Sequence, residues 1–504
     1  MNWPISPNTI GRTVVTVITL LVLWVMGASL VNSWQQPQVT GQLQLYQSNL
    51  LLQASEWQGE GFSDGDRQRV RKALLGEAPL AAVIEEYQTL KAEAETGLTR
   101  SQSVLQAQAD PKQTQTIQQV ITQQQALLAR LELRLGLLTA EQNESEAAID
   151  QWQTLAADTD TPPTLAATAL ALASIWQDSP SPDAETLTQT HLTGWFRNRA
   201  LEQLYEQQAQ FDALNQLQTE EQAVAQTTLF KLVAVSLLPT LGGVAGIILL
   251  LVLAAQWFSQ RETSMLAQKL EAWSVPWDGE TIWVVLVVGF FFVGQFLLPL
   301  VLGGLGVNAI ATTNRGRALF SMIYYLLMSV SGVAVLYVAI RQFLPLPEGW
   351  FRFKLLDRWP LWGIGGYLAA LPIMLGVSFL NQQVWQGQGG SNPLLQTVVE
   401  ESDPIALSIF FLTAAVAAPL FEEFLFRGFL LPSLTRYLPV WGAMLVSSFI
   451  FAAAHLSLSE VVPLMTLGMI LAFVYVRSRN LLAPMLLHSA WNSVTMVGLF
   501  LLGS

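Results

Sequence analysis

Ionisable and amide side chains interrupt three apolar stretches late in this chain. Glu422, Glu423 and Arg427 lie in Phe421-Glu422-Glu423-Phe424-Leu425-Phe426-Arg427. His455 closes Phe451-Ala452-Ala453-Ala454-His455, and His488 and Asn492 bracket His488-Ser489-Ala490-Trp491-Asn492. Adjacent residues on an α-helix project about 100° apart, so Glu422 and Glu423 are expected to face different surroundings. Glu423 stands four residues before Arg427, the favourable order for an ion pair, which leaves Glu422 as the carboxylate free for chemistry. Phe451 shares a face with His455, and His488 shares one with Asn492. The three alanines before His455 permit close approach of another helix, and Pro419 is expected to kink its own span. Taken singly, each residue also has a structural reading: a lone histidine in a span is a hydrogen-bonding group as often as a reactive one, and Glu423–Arg427 can serve packing alone. Four such polar side chains, Glu422, His455, His488 and Asn492, from three helices point to a single site.

The elements that must position them are apolar helices. Of the 504 residues, 52% are hydrophobic and only 12% charged, and the charged ones concentrate between about Trp34 and Thr228. That split implies a soluble domain beside a polytopic membrane domain. The expected fold is all-α: a polytopic transmembrane helix bundle with an N-terminal anchor helix and an inserted helical soluble domain. The formal charge of -12 comes largely from the soluble part, which argues against nucleic acid as a partner. There is no cysteine, so disulfides and thiolate metal sites are excluded. Of three histidines, His191 lies in the polar half and the other two lie in apolar segments.

Residues 1–32 hold the first apolar run, Thr13 to Val31, read as an uncleaved signal anchor with a cleaved signal peptide as the alternative. Residues 33–228 form a helical domain with apolar positions three and four apart, as in Leu127, Leu131, Leu135 and Leu138, or Ala148, Trp152 and Leu155. Breaks are expected at Asp110-Pro111, Thr161 to Pro163 and Ser179 to Pro182. Ala129 to Ala156 is loosely similar to a tetratricopeptide helix pair; a partner-binding module and a coiled-coil spacer both remain open. Residues 229–400 hold the upstream spans and 401–504 the segment with the polar motifs. Eight spans are expected after the anchor, near 229–258, 281–306, 318–340, 361–380, 405–421, 441–454, 461–476 and 483–502. Trp257, Trp283, Trp359, Trp362 and Trp441 sit at their ends, as interfacial anchors do. With the N-terminus cytoplasmic, Arg12, Arg261, Lys269, Arg341, Arg352, Lys354, Arg358, Arg436, Arg477 and Arg479 share one side. Arg315, Arg317, Glu400, Glu401 and Asp403 fall on the other, with the helical domain.

The motifs Glu-Glu-x-x-x-Arg, Phe-x-x-x-His and His-x-x-x-Asn, in this order, resemble those of the CAAX-protease and bacteriocin-processing (CPBP, or Abi) intramembrane proteases, which include the type II CAAX prenyl endopeptidases. The resemblance covers about Ile405 to Leu502. It implies peptide-bond hydrolysis, with Glu422, helped by His455, as general base on water, and His488 and Asn492 donating to the oxyanion. Glu423, Arg427 and Phe451 would orient them. Members have also been treated as metalloproteases, and Glu422, His455 and His488 match a catalytic zinc set. No His-Glu-x-x-His helix pre-forms such a site, so zinc is the secondary reading and no cofactor the favoured one.

The implied partners are a membrane protein or peptide substrate and the lipid bilayer, with a protein partner for the helical domain. A bacterial inner membrane and a thylakoid membrane fit equally well. Two rivals stand beside hydrolysis. A non-catalytic scaffold or immunity protein would keep the fold, against which the intact motifs count. A transporter with a Glu/His proton relay would show related halves, and no internal repeat joins the span groups.

Overall fold

The computed structural model describes residues 7–34, 40–59, 63–107, 111–259, 269–385, 387–391, 397–398, 401 and 403–503. Arg261, Glu400 and Asp110, used above for topology and for a helix break, lie outside them. Every regular element among the described residues is helical. Contacts divide the chain into a unit of Gln35–Leu238 with Gln386–Gln388 and a unit of Met1–Trp34, Pro239–Trp385 and Gly389–Ser504.

In the first unit each helix packs mainly on the next. Pro79–Ala107 meets Pro111–Glu141, and Ser145–Ala157, Pro163–Trp176, Ala184–His191 and Gly194–Gln207 follow. Leu131, Leu138, Ala148, Trp152 and Leu155 are buried in one core, with Leu127 and Leu135 against it. The Trp152 indole donates to the Leu133 carbonyl at 3.1 Å. It lies where a side chain at Gly136 would stand, so only glycine allows this crossing. Pro163 opens its helix at the first turn, where the missing N–H costs nothing.

The second unit is an all-α polytopic membrane bundle, and the protein is a multi-pass integral membrane protein. Seven helices among the described residues are long and apolar enough to cross: Gly11–Ser33, Phe211–Ser259, Gly279–Gly304, Asn314–Phe343, Trp359–Trp385, Pro404–Leu434 and Val461–Ser478. Leu482–Gly503 adds a further apolar helix of 22 residues. Two elements differ from expectation. The helix expected from about residue 229 begins at Phe211, because the change to apolar composition falls inside one continuous helix. The span expected at 441–454 is the helix Val440–Ala453, whose 14 residues are fewer than the about 20 of a full crossing.

Small residues allow the helices to approach. A side chain at Gly246 would strike the Leu368 carbonyl, which seats the membrane part of Phe211–Ser259 against Trp359–Trp385. At one end of the bundle the basic connections meet. Arg479 stands over the Trp273 ring at 3.7 Å, Arg436 donates to the Trp277 carbonyl, and the Asn480 amide donates to the Lys354 carbonyl at 2.7 Å. Arg315 pairs with Asp403 at the other end, where Asn314 donates to Glu401 at 2.8 Å. Ser457 and Ser459 both donate there to the Gly390 carbonyl. The loops grouped by charge in the sequence are therefore grouped in space.

Candidate active site

The span Pro404–Leu434 does not wind uniformly. It carries wider π-type turns at Thr413–Ala417 and Glu423–Leu430, on either side of the short α segment Ala418–Glu422. Such turns recur at functional sites, because they expose backbone groups and re-aim side chains. Within Thr413–Ala417 the carbonyl of residue i pairs with the N–H of residue i+5, so the partner of Ala414 would be residue 419. Pro419 has no N–H. Asn492, on Leu482–Gly503, supplies the missing donor, its Nδ2 lying 2.7 Å from the Ala414 carbonyl. One N–H of this amide is thereby committed to the backbone.

Glu423 opens the second π segment and is fully buried. Its Oε1 accepts from Arg427 Nη1 at 2.7 Å, the pairing expected from their spacing. The same oxygen also lies 2.8 Å from His488 Nδ1, so Glu423 holds an imidazole as well as a guanidinium. A carboxylate accepts, so Nδ1 carries a proton and Nε2 is aimed away from Glu423. That Nε2 lies 3.9 Å from Oε2 of Glu422, too far for a direct bond and close enough for one water or substrate atom to touch both. The two glutamates thus reach the same imidazole from opposite sides. The 100° separation of a regular α-helix had implied separate surroundings. Both residues keep α-type backbone angles; they share the imidazole because His488, on Leu482–Gly503, lies between the two diverging carboxylates and offers each a different ring nitrogen.

Arg427 is also fully buried, and Nη2 donates to the Gly468 carbonyl at 3.1 Å. Its guanidinium stands 4.5 Å from the Phe451 ring centre. Phe451 in turn meets the rings of His455 and His488 edge-on, at 5.1 Å and 5.9 Å. His455 sits just past the end of Val440–Ala453, and its Nδ1 lies 2.9 Å from the Phe451 carbonyl, one of the last unpaired carbonyls of that helix. As with His488, this leaves Nε2 free.

The structure therefore joins Glu422, Glu423, Arg427 and His488 in one network, with Phe451 and His455 packed beside it. His455 makes no direct bond to Glu422 among the described residues. Asn492 engages the glutamate span at Ala414 rather than at Glu422. Among the described residues no three His, Asp or Glu side chains are grouped to hold a metal ion. Sequence reasoning passed over Tyr325, whose hydroxyl donates to Oε1 of Glu422 at 2.9 Å. It also passed over Gln295, whose amide donates to the Ala454 carbonyl at 3.3 Å beside His455. Neither is ionised at neutral pH, so neither stands out in an apolar segment as a charge does.

Comparison with known proteins points to a class of membrane peptidases. Residues 404–494 match the family model described as type II CAAX prenyl endopeptidase Rce1-like. The resemblance carried by the three motifs is thus shown for this part of the chain. A putative membrane peptidase, YdiL, of Bacillus subtilis is 25% identical over 137 residues, 27% of this chain and 55% of that protein. The membrane-embedded CAAX protease MroQ of Staphylococcus aureus is 27% identical over 142 residues, 27% of this chain and 56% of that protein. An uncharacterized 24.3 kDa protein of Escherichia coli is 40% identical over 82 residues, 15% of this chain and 38% of that protein. The chain thus spans about half the length of the first two of these relatives and less of the third. No solved structure matches it.

Proposed function

We propose that this protein is an intramembrane endopeptidase that hydrolyses a peptide bond of a membrane-associated protein or peptide. The observation that carries the reading is the Glu422–His488 arrangement, in which Glu423 and Arg427 fix the imidazole and leave Nε2 3.9 Å from a second carboxylate. Glu422 takes a proton from the attacking water and passes it to the leaving amide nitrogen as the C–N bond breaks, with His455, packed on Phe451, supplying a second ring nitrogen to the same aromatic cluster. His488, protonated on both nitrogens, donates from Nε2 to the oxyanion, joined by the N–H of Asn492 that Ala414 does not use. Proton and negative charge then move between groups already paired, so little reorganisation is needed in a dry site.

The test is cleavage of a membrane-anchored peptide by purified protein in lipid or detergent. Glu422→Gln should lower kcat by about 10²–10⁴-fold, the range of general acid–base catalysis, with the protein still folded. Wild-type cleavage by this variant would remove Glu422 from the role. One observation keeps a metal-dependent version alive. Both histidines spend Nδ1 on an oxygen and leave Nε2 open, the orientation that metal-ligating histidines adopt. Chelation that abolishes cleavage, restored by zinc, would favour that version; indifference to chelation favours the glutamate mechanism.

A further inference from the structure

The family match begins at residue 404, but the hydrogen bond to the free glutamate comes from far upstream. Tyr325 lies on Asn314–Phe343, and its hydroxyl is 2.9 Å from Oε1 of Glu422. A carboxylate can only accept, so the phenol is the donor. The contact follows from the way this helix packs. Gly332, two turns beyond Tyr325, has the end of the Phe421 ring 3.0 Å from where a Cβ would stand, so a larger residue there would crowd the ring and glycine eases the approach of the two helices. Met328, between them on the same face, is buried. The Tyr325 ring then meets Phe421 edge-on at 6.3 Å, which holds the phenol beside the next residue, Glu422.

We infer that Tyr325 is a positioning residue for Glu422: it ties down Oε1 and so leaves Oε2 turned to Nε2 of His488. The inference rests on the proposed role of Glu422. Without the phenol, the carboxylate keeps its place in the chain but gains rotation about its last side-chain bonds, and the 3.9 Å approach to His488 is no longer fixed. The upstream spans thereby supply part of the site rather than only a wall around it. The neighbouring Tyr324 provides an internal control, since its hydroxyl donates to the Gly294 carbonyl at 2.9 Å and not to the site.

Tyr325→Phe keeps the ring and removes the hydroxyl. It should lower kcat about ten- to a hundredfold, the worth of one hydrogen bond to a charged group, with KM changed less than about twofold. Tyr324→Phe should leave both constants near wild type. A Tyr325→Phe enzyme with wild-type kcat, or with a raised KM alone, overturns the inference, as does an equal loss in Tyr324→Phe. A second readout does not depend on turnover: 3-fluorotyrosine placed at 325 should change its ¹⁹F shift on Glu422→Gln, and the same label at 324 should not. A label at 325 that ignores Glu422→Gln overturns the contact even where Tyr325→Phe fails to accumulate. The two readings fail separately. If Glu422→Gln still cleaves, the proposed base is wrong; if it is inactive while Tyr325→Phe is fully active, only the positioning role falls.

Discussion

Arg199 and Arg427 each gather acidic partners, one in the helical unit and one in the membrane unit, with opposite results. Arg199 meets Glu56 at 2.7 Å, Glu141 at 3.2 Å and Glu202 at 2.6 Å, and stands over the Trp195 ring at 5.4 Å. Its side chain is 22% exposed, so water shares the excess of three carboxylates over one guanidinium. Arg427 is 0% exposed and is matched by one carboxylate, Glu423, which also holds His488. The first cluster ties the end of Thr40–Ser55 and the end of Pro111–Glu141 to Gly194–Gln207. In the second no water intervenes, so direct bonds fix the position of every partner, the imidazole included. Solvent access separates a knot that joins helices from one that aims an imidazole.

The contrast is broken most readily at Arg427. Arg427→Met leaves Glu423 buried without its cation and should cost about 3–5 kcal/mol, read as a fall in the thermal midpoint of the membrane unit in detergent. A midpoint equal to wild type would show that the dry pair is dispensable. Arg199→Met should cost less, about 1–3 kcal/mol, between the limits for exposed and buried pairs. Faster amide exchange confined to Gly194–Gln207 and the ends it ties would report it; loss of cleavage without such exchange would erase the distinction between the clusters.

The smallest effect is one of pH. Burial pushes the carboxyls of Glu86, Glu93 and Glu141 above the usual carboxylate range, and for Glu141 the Arg199 guanidinium offsets part of this. A carboxyl raised in the folded state binds its proton more tightly there than in the unfolded chain. Its stabilising contribution is therefore present at and below the ordinary carboxylate value and is lost as pH rises through the raised one. Mild acidification, from neutral to about pH 5, should raise the amide-exchange protection factors of the helical unit of the full chain, with the intrinsic rate at each pH divided out, and Glu141→Gln should flatten that response. Protection factors that fall over the same range would mean that the Arg199 pairing outweighs burial.

The bundle was legible because apolar run length and the grouping of basic loops are strong signals in lipid. The Glu423–Arg427 pair was legible too, since four residues separate facing side chains in either kind of turn. The second bond of Glu423, to His488, was not. It depends on how Leu482–Gly503 packs on Pro404–Leu434, and neither composition nor spacing marks which helices meet. Asn492 illustrates the same limit: its bond to Ala414 follows from a π turn meeting Pro419, which an α-helical reading of the sequence cannot anticipate. Tyr325 escaped because a phenol is cheap in a membrane, so its presence in a span raises no question until its neighbour is seen.

The helix Val440–Ala453 also bears on the lipid around the protein. Its 14 residues rise about 21 Å, against about 30 Å of hydrocarbon, whereas the 27 residues of Pro7–Ser33 exceed it. Trp441, Leu445 and Phe449 repeat every four residues on its exposed face, a short apolar stripe suited to acyl chains. A bilayer meeting so short an apolar face is drawn thin there. Thinner hydrocarbon beside the helix that ends at His455 would shorten the path between the two water phases there.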